Sequence, residues 1–121
     1  MASALENATV PNATDTLSAS AAKTATGAAT AVSGFAAAKN LVLQLDVTAA
    51  SGTTPTLDVI VADTVDGTNY NTIATFAQKT TTGREVIRLS TPFTDTLKVS
   101  WTIAAIANPS FTFSVKSYAD A

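Results

Sequence analysis

The chain contains no cysteine and no histidine. Without cysteine it cannot form a disulfide framework. Without histidine it lacks the commonest general base and the commonest metal ligand of proteins. These absences argue against most hydrolytic and metal-dependent chemistry. We therefore expect a protein that is not an enzyme, with no catalytic residues, no bound metal and no cofactor.

Charge is also scarce, since only 13% of the 121 residues are charged and the formal net charge is −2. The seven Lys and Arg residues are scattered and form no run. Nucleic-acid binding needs a basic stripe, and surface anchoring to a membrane needs a basic cluster. No apolar run is long enough to span a bilayer, and the N-terminus lacks the pattern of a signal peptide. The sequence thus predicts neither a nucleic-acid nor a membrane partner.

A repeat is the clearest feature that is present. Residues 43–61 align with residues 97–115 without a gap, at a constant offset of 54. Each copy begins with an alternating strand, continues with a connection of small and polar residues and ends with a second alternating strand. Two such hairpins sharing an apolar face are a natural way to build a two-sheet sandwich.

Alternation of apolar and polar residues predicts strands along most of the chain. Leu43, Leu45 and Val47 point inward while Gln44 and Asp46 point outward, and Leu57, Val59 and Val61 point inward opposite Thr56, Asp58 and Ala62. Asp66-Gly67 is a hairpin turn signal. The alternation slips between Ile73 and Phe76, which indicates a bulge. Predicted strands cover residues 18–24, 28–36, 43–47, 57–61, 70–78, 84–90, 97–101 and 111–115, with Gly27 in a turn and 51–55 in a loop.

Seven or eight short strands at intervals of about ten residues predict an all-β, antiparallel two-sheet β-sandwich, jelly-roll-like, over residues 19–121. Residues 1–18 lack sustained periodicity and are predicted to be an extended N-terminal arm. Because a low-complexity arm buries little by itself, it is a candidate for contact with a partner.

The groups that could carry chemistry are few. Asp46 and Asp58 fall at outward positions of adjacent strands, where they form a solvated face. Ser20 and Lys23 have the Ser-x-x-Lys spacing, but the companion motifs are absent. The oxygen ligands in residues 63–69 loosely resemble a calcium loop, although the Asp66-Gly67 turn explains them without a metal.

Carbohydrate binding is the main alternative. DGTNY (66–70) after a strand resembles a turn of discoidin-like carbohydrate-binding modules. Sugar sites use exposed aromatic platforms. Most aromatic residues fall on the inward alternation, whereas three are candidates for the surface: Phe35, Phe93 and Tyr118.

Apolar residues also occur where the alternation points outward or predicts a loop, namely at Val42, Ile60, Val86 and Ile106. On a surface with so little charge, they favour a subunit interface over a free monomer.

Beyond these patterns, about four fifths of the chain resembles a family of small all-β proteins of tailed phages and prophages. The matching stretches are LDVTAASGTTPTLDV (45–59), DGTNY (66–70), ATFAQ (74–78) and PSFTFSV (109–115). Tyr70 stands where relatives often carry Trp. Such proteins resemble capsid decoration, or cement, proteins, which sit on the outside of a phage head and brace neighbouring capsomers.

The resemblance implies a structural virion protein on the capsid exterior, made in the bacterial host cytoplasm. Its partner would be the phage major capsid protein, and it would form a homo-oligomer, with a trimer favoured over a dimer. The alternative is a carbohydrate-binding or host-adhesion module on the virion. The residues expected at the partner interface are Leu5, Val10, Pro11, Ile60 and Ile106.

Overall fold

A computed structural model describes residues 13–36, 38–90 and 93–120. Its regular elements are eight strands, within the seven or eight that the sequence predicts, and no helix occurs among these residues. The strands are β1 (Ala13–Lys23), β2 (Gly27–Ala28), β3 (Asn40–Thr53), β4 (Thr56–Thr64), β5 (Tyr70–Thr75), β6 (Gly83–Leu89), β7 (Thr96–Ala104) and β8 (Ala107–Asp120).

The strands form two antiparallel sheets of four strands each. Sheet A has the order β1-β8-β3-β6, and sheet B has the order β2-β7-β4-β5. This is the eight-stranded jelly-roll arrangement, and it confirms the predicted sandwich. The boundary of the predicted arm lies earlier than expected, because residues 13–18 belong to β1 and pair with β8. The remainder of the arm, residues 1–12, lies outside the described residues.

The core lies between the sheets and follows the predicted period of two. In β3, Leu41, Leu43, Leu45 and Val47 are buried while the residues between them are half-exposed. Alternation of this kind is what a strand with one face on a core requires. The opposite sheet contributes Leu57, Val59, Val61, Leu97, Val99 and Trp101, and β8 contributes Phe111, Phe113 and Val115.

The two repeated segments are not hairpins, contrary to the prediction. In each copy the two strands belong to different sheets, so β3 pairs with β8 and β4 pairs with β7. The connections are also shorter than predicted, because β3 continues through residues 51–53 and β4 begins at Thr56. The two strands of each copy therefore pair with strands of the other copy and not with each other.

The registers show that the repeat is an internal two-fold relation. Val47 pairs with Phe113 in sheet A. Their equivalents 54 residues away, Trp101 and Val59, pair in sheet B. The relation extends to the outer strands. We call β1–β4 the first half and β5–β8 the second half. When each strand is replaced by its equivalent in the other half (β1 by β5, β2 by β6, and so on), the strand order of sheet A becomes that of sheet B. The jelly roll is thus built from two four-stranded halves that each supply two strands to each sheet.

The β3–β4 and β7–β8 connections, one in each repeated segment, share an unusual backbone conformation. Thr54 and Asn108 both have φ 49, and each precedes a proline. Gly52 has φ 120, and a Cβ there would lie 2.8 Å from the carbonyl oxygen of Asn108. The two connections therefore lie against each other at one end of the sandwich, where Ile106 N–H donates to the Thr53 carbonyl at 3.0 Å.

Some local predictions were wrong. The strand predicted over 28–36 is reduced to β2 and a single bridge at Val32, and Gly27 lies in β2 instead of a turn. Ala62 is buried, although the alternation placed it outward. The strand predicted over 70–78 ends at Thr75. The predicted bulge is confirmed: Val61 pairs with Ala74 and Ala62 with Thr72, so Ile73 is the extra residue.

Candidate functional site: the outer face of sheet A

The outward side of sheet A carries a row of side chains that cross all four strands. Tyr118 pairs with Thr14 on one side and with Val42 on the other, and Val42 pairs with Arg88. Directly opposed residues of an antiparallel pair point to the same face. The tyrosine and the valine are therefore neighbours on the outside of the sandwich, between a threonine and an arginine.

A second row lies beside the first. Gln44 pairs with Lys116 in β8 and with Val86 in β6. Tyr118 is 42% exposed and Val86 is 38% exposed, whereas Val42 is half-buried. We call the set formed by Val42, Gln44, Val86, Arg88, Lys116 and Tyr118 the sheet A face. Tyr118 and Val42 lie side by side on its two middle strands, Lys116 lies in the neighbouring row on β8, and Val86 and Arg88 lie on the edge strand β6.

The charge on this face is unevenly balanced. In the third row Arg84 lies 3.8 Å from the Asp46 carboxylate, a loose and exposed pair. Among the described residues, no carboxylate lies within 4.0 Å of Lys116 or Arg88. The face is thus locally cationic on a chain whose formal net charge is −2. A partner with an acidic, partly apolar surface would complement it.

A shallow, open depression of about 180 Å³ lies within the face. Its lining residues are Thr14, Val42, Gln44, Lys116, Ser117 and Tyr118. A depression of this size and openness is too small to enclose a drug-sized ligand, whose pockets measure about 300–1,000 Å³. It suits a protruding side chain or a single ring laid against Tyr118.

The structure places the predicted interface residues apart from one another. Ile60 is half-buried in the middle of the outer side of sheet B, between Ser100 and Thr75. Ile106 is 78% exposed in the connection between β7 and β8. The remaining three residues predicted at the interface, Leu5, Val10 and Pro11, lie outside the described residues.

The predicted surface aromatics have different environments. Tyr118 is exposed as predicted, but Phe35 is fully buried and Phe93 is half-buried against the core. Trp101 and Phe113 are buried as predicted and stack edge to face with ring centroids 5.5 Å apart. Of the three candidates, only Tyr118 is an exposed aromatic platform.

The acidic turn at residues 65–69 is internally satisfied. The backbone N–H groups of Asn69 and Thr68 each donate to the Asp66 carboxylate at 2.8 Å. These hydrogen bonds, with the one from the Asn69 side chain, hold the pKa of Asp66 well below its usual range. The carboxylate therefore serves the turn that joins β4 to β5. Within the described ranges, no three His, Cys, Asp or Glu side chains cluster where they could hold a metal.

The other chemical candidates are separated as well. Asp46 lies on sheet A and Asp58 on sheet B, so the exposed face that they were predicted to share does not exist. Ser20 and Lys23 lie on a strand and not on a helix. The Lys23 amine stands over the Trp101 ring, 5.1 Å from its centroid.

Sequence reasoning identified Val42, Val86 and Tyr118 one by one but missed the face that they form with Lys116 and Arg88. Alternation shows that these residues point outward. It does not say which strands are neighbours, because β3 pairs with two strands that are distant in sequence. The register across β8, β3 and β6 was the missing information.

The fold and this face define a class: an all-β jelly-roll sandwich with an open face that carries an exposed tyrosine and two cations. No protein-family model matches the chain, and a search of the curated proteins finds no match. In the part of the chain that the structure describes, no helix is long and apolar enough to cross a membrane.

Proposed function

We propose that this chain is a structural virion protein and not an enzyme, a capsid decoration protein that binds the outer surface of a phage head and stabilises capsomer junctions. The resemblance of residues 45–59, 66–70, 74–78 and 109–115 to the phage family supports the assignment to a virion. The observation that carries the binding role is the sheet A face, with its exposed tyrosine and with two cations, Lys116 and Arg88, that have no carboxylate of the described residues within 4.0 Å.

Attachment through this face has a simple physical basis. Burying Tyr118 with Val42 and Val86 removes apolar surface from water, at about 25 cal/mol per Å². Exposed aromatic residues near the centre of an interface often dominate its energy. Lys116 and Arg88, which lie on the same face, would steer the protein toward an acidic capsid surface and set its orientation.

The partner in this proposal is the phage major capsid protein, and the location is the capsid exterior after synthesis in the bacterial host cytoplasm. Many copies on one shell multiply a modest contact energy into a large stabilisation. Ile106 and residues 1–12, with Leu5, Val10 and Pro11, remain candidates for further contact with the shell. Residue 13 starts β1 at the edge of sheet A, so the preceding residues are attached close to the sheet A face.

Co-sedimentation with empty capsids of the phage that encodes the protein tests this proposal. The wild-type protein should pellet with the shells in a fixed stoichiometry. Tyr118→Asp should weaken binding about thirtyfold, since truncating a central aromatic anchor costs about 2 kcal/mol. Lys116→Glu should weaken binding mainly at low salt.

Lys98→Glu is the matched control, because it reverses one charge on the opposite sheet, where Lys98 stands 3.9 Å from the centroid of the Tyr70 ring. It should bind like the wild type. If the wild-type protein stays in the supernatant, the capsid proposal is wrong. If the Tyr118 and Lys98 variants bind equally well, the shell is bound by another surface.

A specific observation favours a second function, carbohydrate binding or host adhesion on the virion. Tyr118 is an exposed aromatic ring beside a shallow depression that is also lined by Gln44 and Thr14. Rings with polar neighbours suit the apolar face and hydroxyls of a sugar. A glycan array probed with the wild type and with Tyr118→Ala tests this function: binding that depends on Tyr118 supports it, and no glycan binding rejects it.

A further inference from the structure

The four sheet edges of this sandwich differ in how well they are protected against pairing with another strand. An edge strand presents unpaired backbone N–H and C=O groups, and proteins usually blunt it with charge, a bulge or a short length. β2 is only two residues long. In β5, Ile73 is a bulge, and just beyond that strand the Ala77 N–H donates to the Glu85 carboxylate at 3.0 Å.

β6 is protected by its charges. It carries Arg84 and Arg88 on its outward side. If two copies of this strand paired antiparallel over their full length, Arg84 of one copy would lie opposite Arg88 of the other. Like charges directly opposite each other destabilise a strand pair. Self-association through β6 is therefore disfavoured.

β1 is different, because it is eleven residues long and its interior is uncharged between Asp15 and Lys23. It pairs with β8 on one side, and no described strand pairs with its other side. Ala19, Ser20, Ala21 and Ala22 are exposed there. The pairing of β1 with β8 contains two register irregularities, so this long, neutral and open edge suits a partner strand that matches the irregular stretch and not any regular strand.

We propose that β1 pairs antiparallel with β1 of a second copy, about a two-fold axis at Ala19, and joins the two A sheets into one. In this register Asp15 of each copy lies opposite Lys23 of the other, so the two charges at the ends of the pairing complement each other. Small residues between them let the backbones approach to the normal spacing of about 4.8 Å.

The state of Asp15 supports this choice of partner. Its Oδ2 atom is buried and accepts no hydrogen bond from any described residue. An unsatisfied buried oxygen of a carboxylate is costly, and a cation of a second copy placed beside the carboxylate lowers that cost by offsetting its charge. Lys23 is available for this, since its one interaction in the described part of the chain is with the face of the Trp101 ring.

The two register irregularities of β1, between Thr16 and Ser18 and between Ser18 and Ala21, also fit a two-fold pairing. Irregular residues increase the local twist of a strand, so a regular strand matches them poorly. A second β1 in the proposed register brings the same irregular stretch to the same place. Such a pairing is closed after two copies, which favours a dimer over the trimer that the family resemblance implies.

This proposal does not depend on capsid binding, and its test uses the isolated full chain. Light scattering should give twice the monomer mass of 12.3 kDa. Ala19→Glu, which places two like charges face to face on the two-fold axis, should give the monomer mass. Ala28→Glu, at an exposed position of β2, is the matched control and should remain dimeric. A wild-type monomer would overturn the proposal.

Charge exchange tests the register. Asp15→Lys alone and Lys23→Asp alone should each give monomers, whereas the double variant should restore the dimer. Circular dichroism verifies that each variant is folded. If both single variants remain dimeric, the copies meet elsewhere.

Cross-linking locates the axis independently, because the chain contains no other cysteine. Ala19→Cys should be converted to a covalent dimer by a short thiol cross-linker, and Ala28→Cys should not. Equal cross-linking of the two variants, or none at residue 19, would contradict the β1 pairing.

Discussion

The first half of the sandwich is less regular than the second, although the two halves have the same topology. β2 has two residues, whereas its equivalent β6 has seven. β1 contains two register irregularities, whereas its equivalent β5 contains one. The central strands β3, β4, β7 and β8 keep equivalent registers along their middle, where residues 42–47 pair with 113–118 and residues 96–101 pair with 59–64. Toward the β3–β4 connection, β3 has two register irregularities against β8 that the β4–β7 pairing lacks. The halves thus match best along the middle of the central strands and diverge in the outer strands, which have one neighbour instead of two.

The largest difference in the core explains part of this asymmetry. Trp101 in the second half corresponds to Val47 in the first. The tryptophan Nε1–H donates to the Ala25 carbonyl at 3.0 Å, and a Cβ on Gly27 would come within 3.3 Å of its ring. The short β2 edge is therefore shaped around a side chain that belongs to the other half. The first half therefore has a short edge strand, and its Ala25 carbonyl accepts a hydrogen bond from the indole of the second half.

Trp101→Ala should produce the largest effect, because it removes the ring and also releases residues 25–27. Truncation of a buried Trp costs about 3–5 kcal/mol. Val47→Ala, at the equivalent position, should cost about 2 kcal/mol for the methylenes that it removes. Urea unfolding followed by circular dichroism measures both. Equal losses of unfolding free energy would mean that the hydrogen bond and ring contacts of Trp101 add nothing to what Val47 contributes at the equivalent position.

Gly52→Ala should rank second, at about 3 kcal/mol. The new Cβ would combine left-handed strain at φ 120 with a clash against the backbone of the other connection. Gly67→Ala, with φ 82 and open space around it, should show the strain alone, about 1–2 kcal/mol. Gly83→Ala has neither cause and should stay within about 0.5 kcal/mol of the wild type. If Gly52→Ala loses no more unfolding free energy than Gly67→Ala, the clash with the other connection does not contribute to the loss.

Thr54→Gly and Asn108→Gly sharpen the comparison at positions with the same φ of 49. A β-branched residue is strained in this region, whereas Asn tolerates it. Glycine at residue 54 should therefore stabilise the protein by about 0.5 kcal/mol after its greater unfolded-state entropy is counted. At residue 108 the change should be close to zero. Thermal unfolding of both variants decides, and a larger gain at residue 108 would contradict the explanation.

The turn that joins the two halves should give the smallest effect, and that effect should depend on pH. Because the folded pKa of Asp66 is lowered, its contribution to stability is fully present above about pH 4 and is lost as the pH falls below that. Asp66→Asn should therefore lower the melting temperature at pH 7 and flatten its decline between pH 4 and pH 2. Asn69→Ala removes the side-chain donor but keeps the backbone donors, so it should give an intermediate slope. An Asp66→Asn variant that declines as steeply as the wild type would contradict this assignment.

The sequence predicted most of the fold, because a period of two over long strands is a strong signal. It predicted the two-sheet sandwich, the inward residues of β3 and β4, and the bulge near Ile73. It did not predict that the repeated strands pair across copies, since alternation contains no information about which strand is a neighbour. For the same reason it could not assemble Tyr118, Lys116 and Val86 into one face.

Local rules failed where tertiary contacts overruled them. Phe35 occurs in a stretch of small residues that suggests exposure, yet it is fully buried in the sandwich. Its N–H donates to the Asp95 carbonyl at 3.1 Å, and the Ala36 N–H donates to the Asp95 carboxylate at 3.0 Å. These partners are about sixty residues away in the chain, beyond the reach of any local pattern.

The two-fold relation between the halves has a consequence for chain connectivity. Ala13 and Ala119 are paired neighbours at one edge of sheet A, so a short linker would join residue 120 to residue 13. A circular permutant opened in the turn at residues 65–69 would begin with β5 and end with β4. Renumbered from its new N-terminus, that permutant would have the same strand order in both sheets as the parent. The order in which a ribosome delivers the two halves is therefore immaterial to the topology that they form.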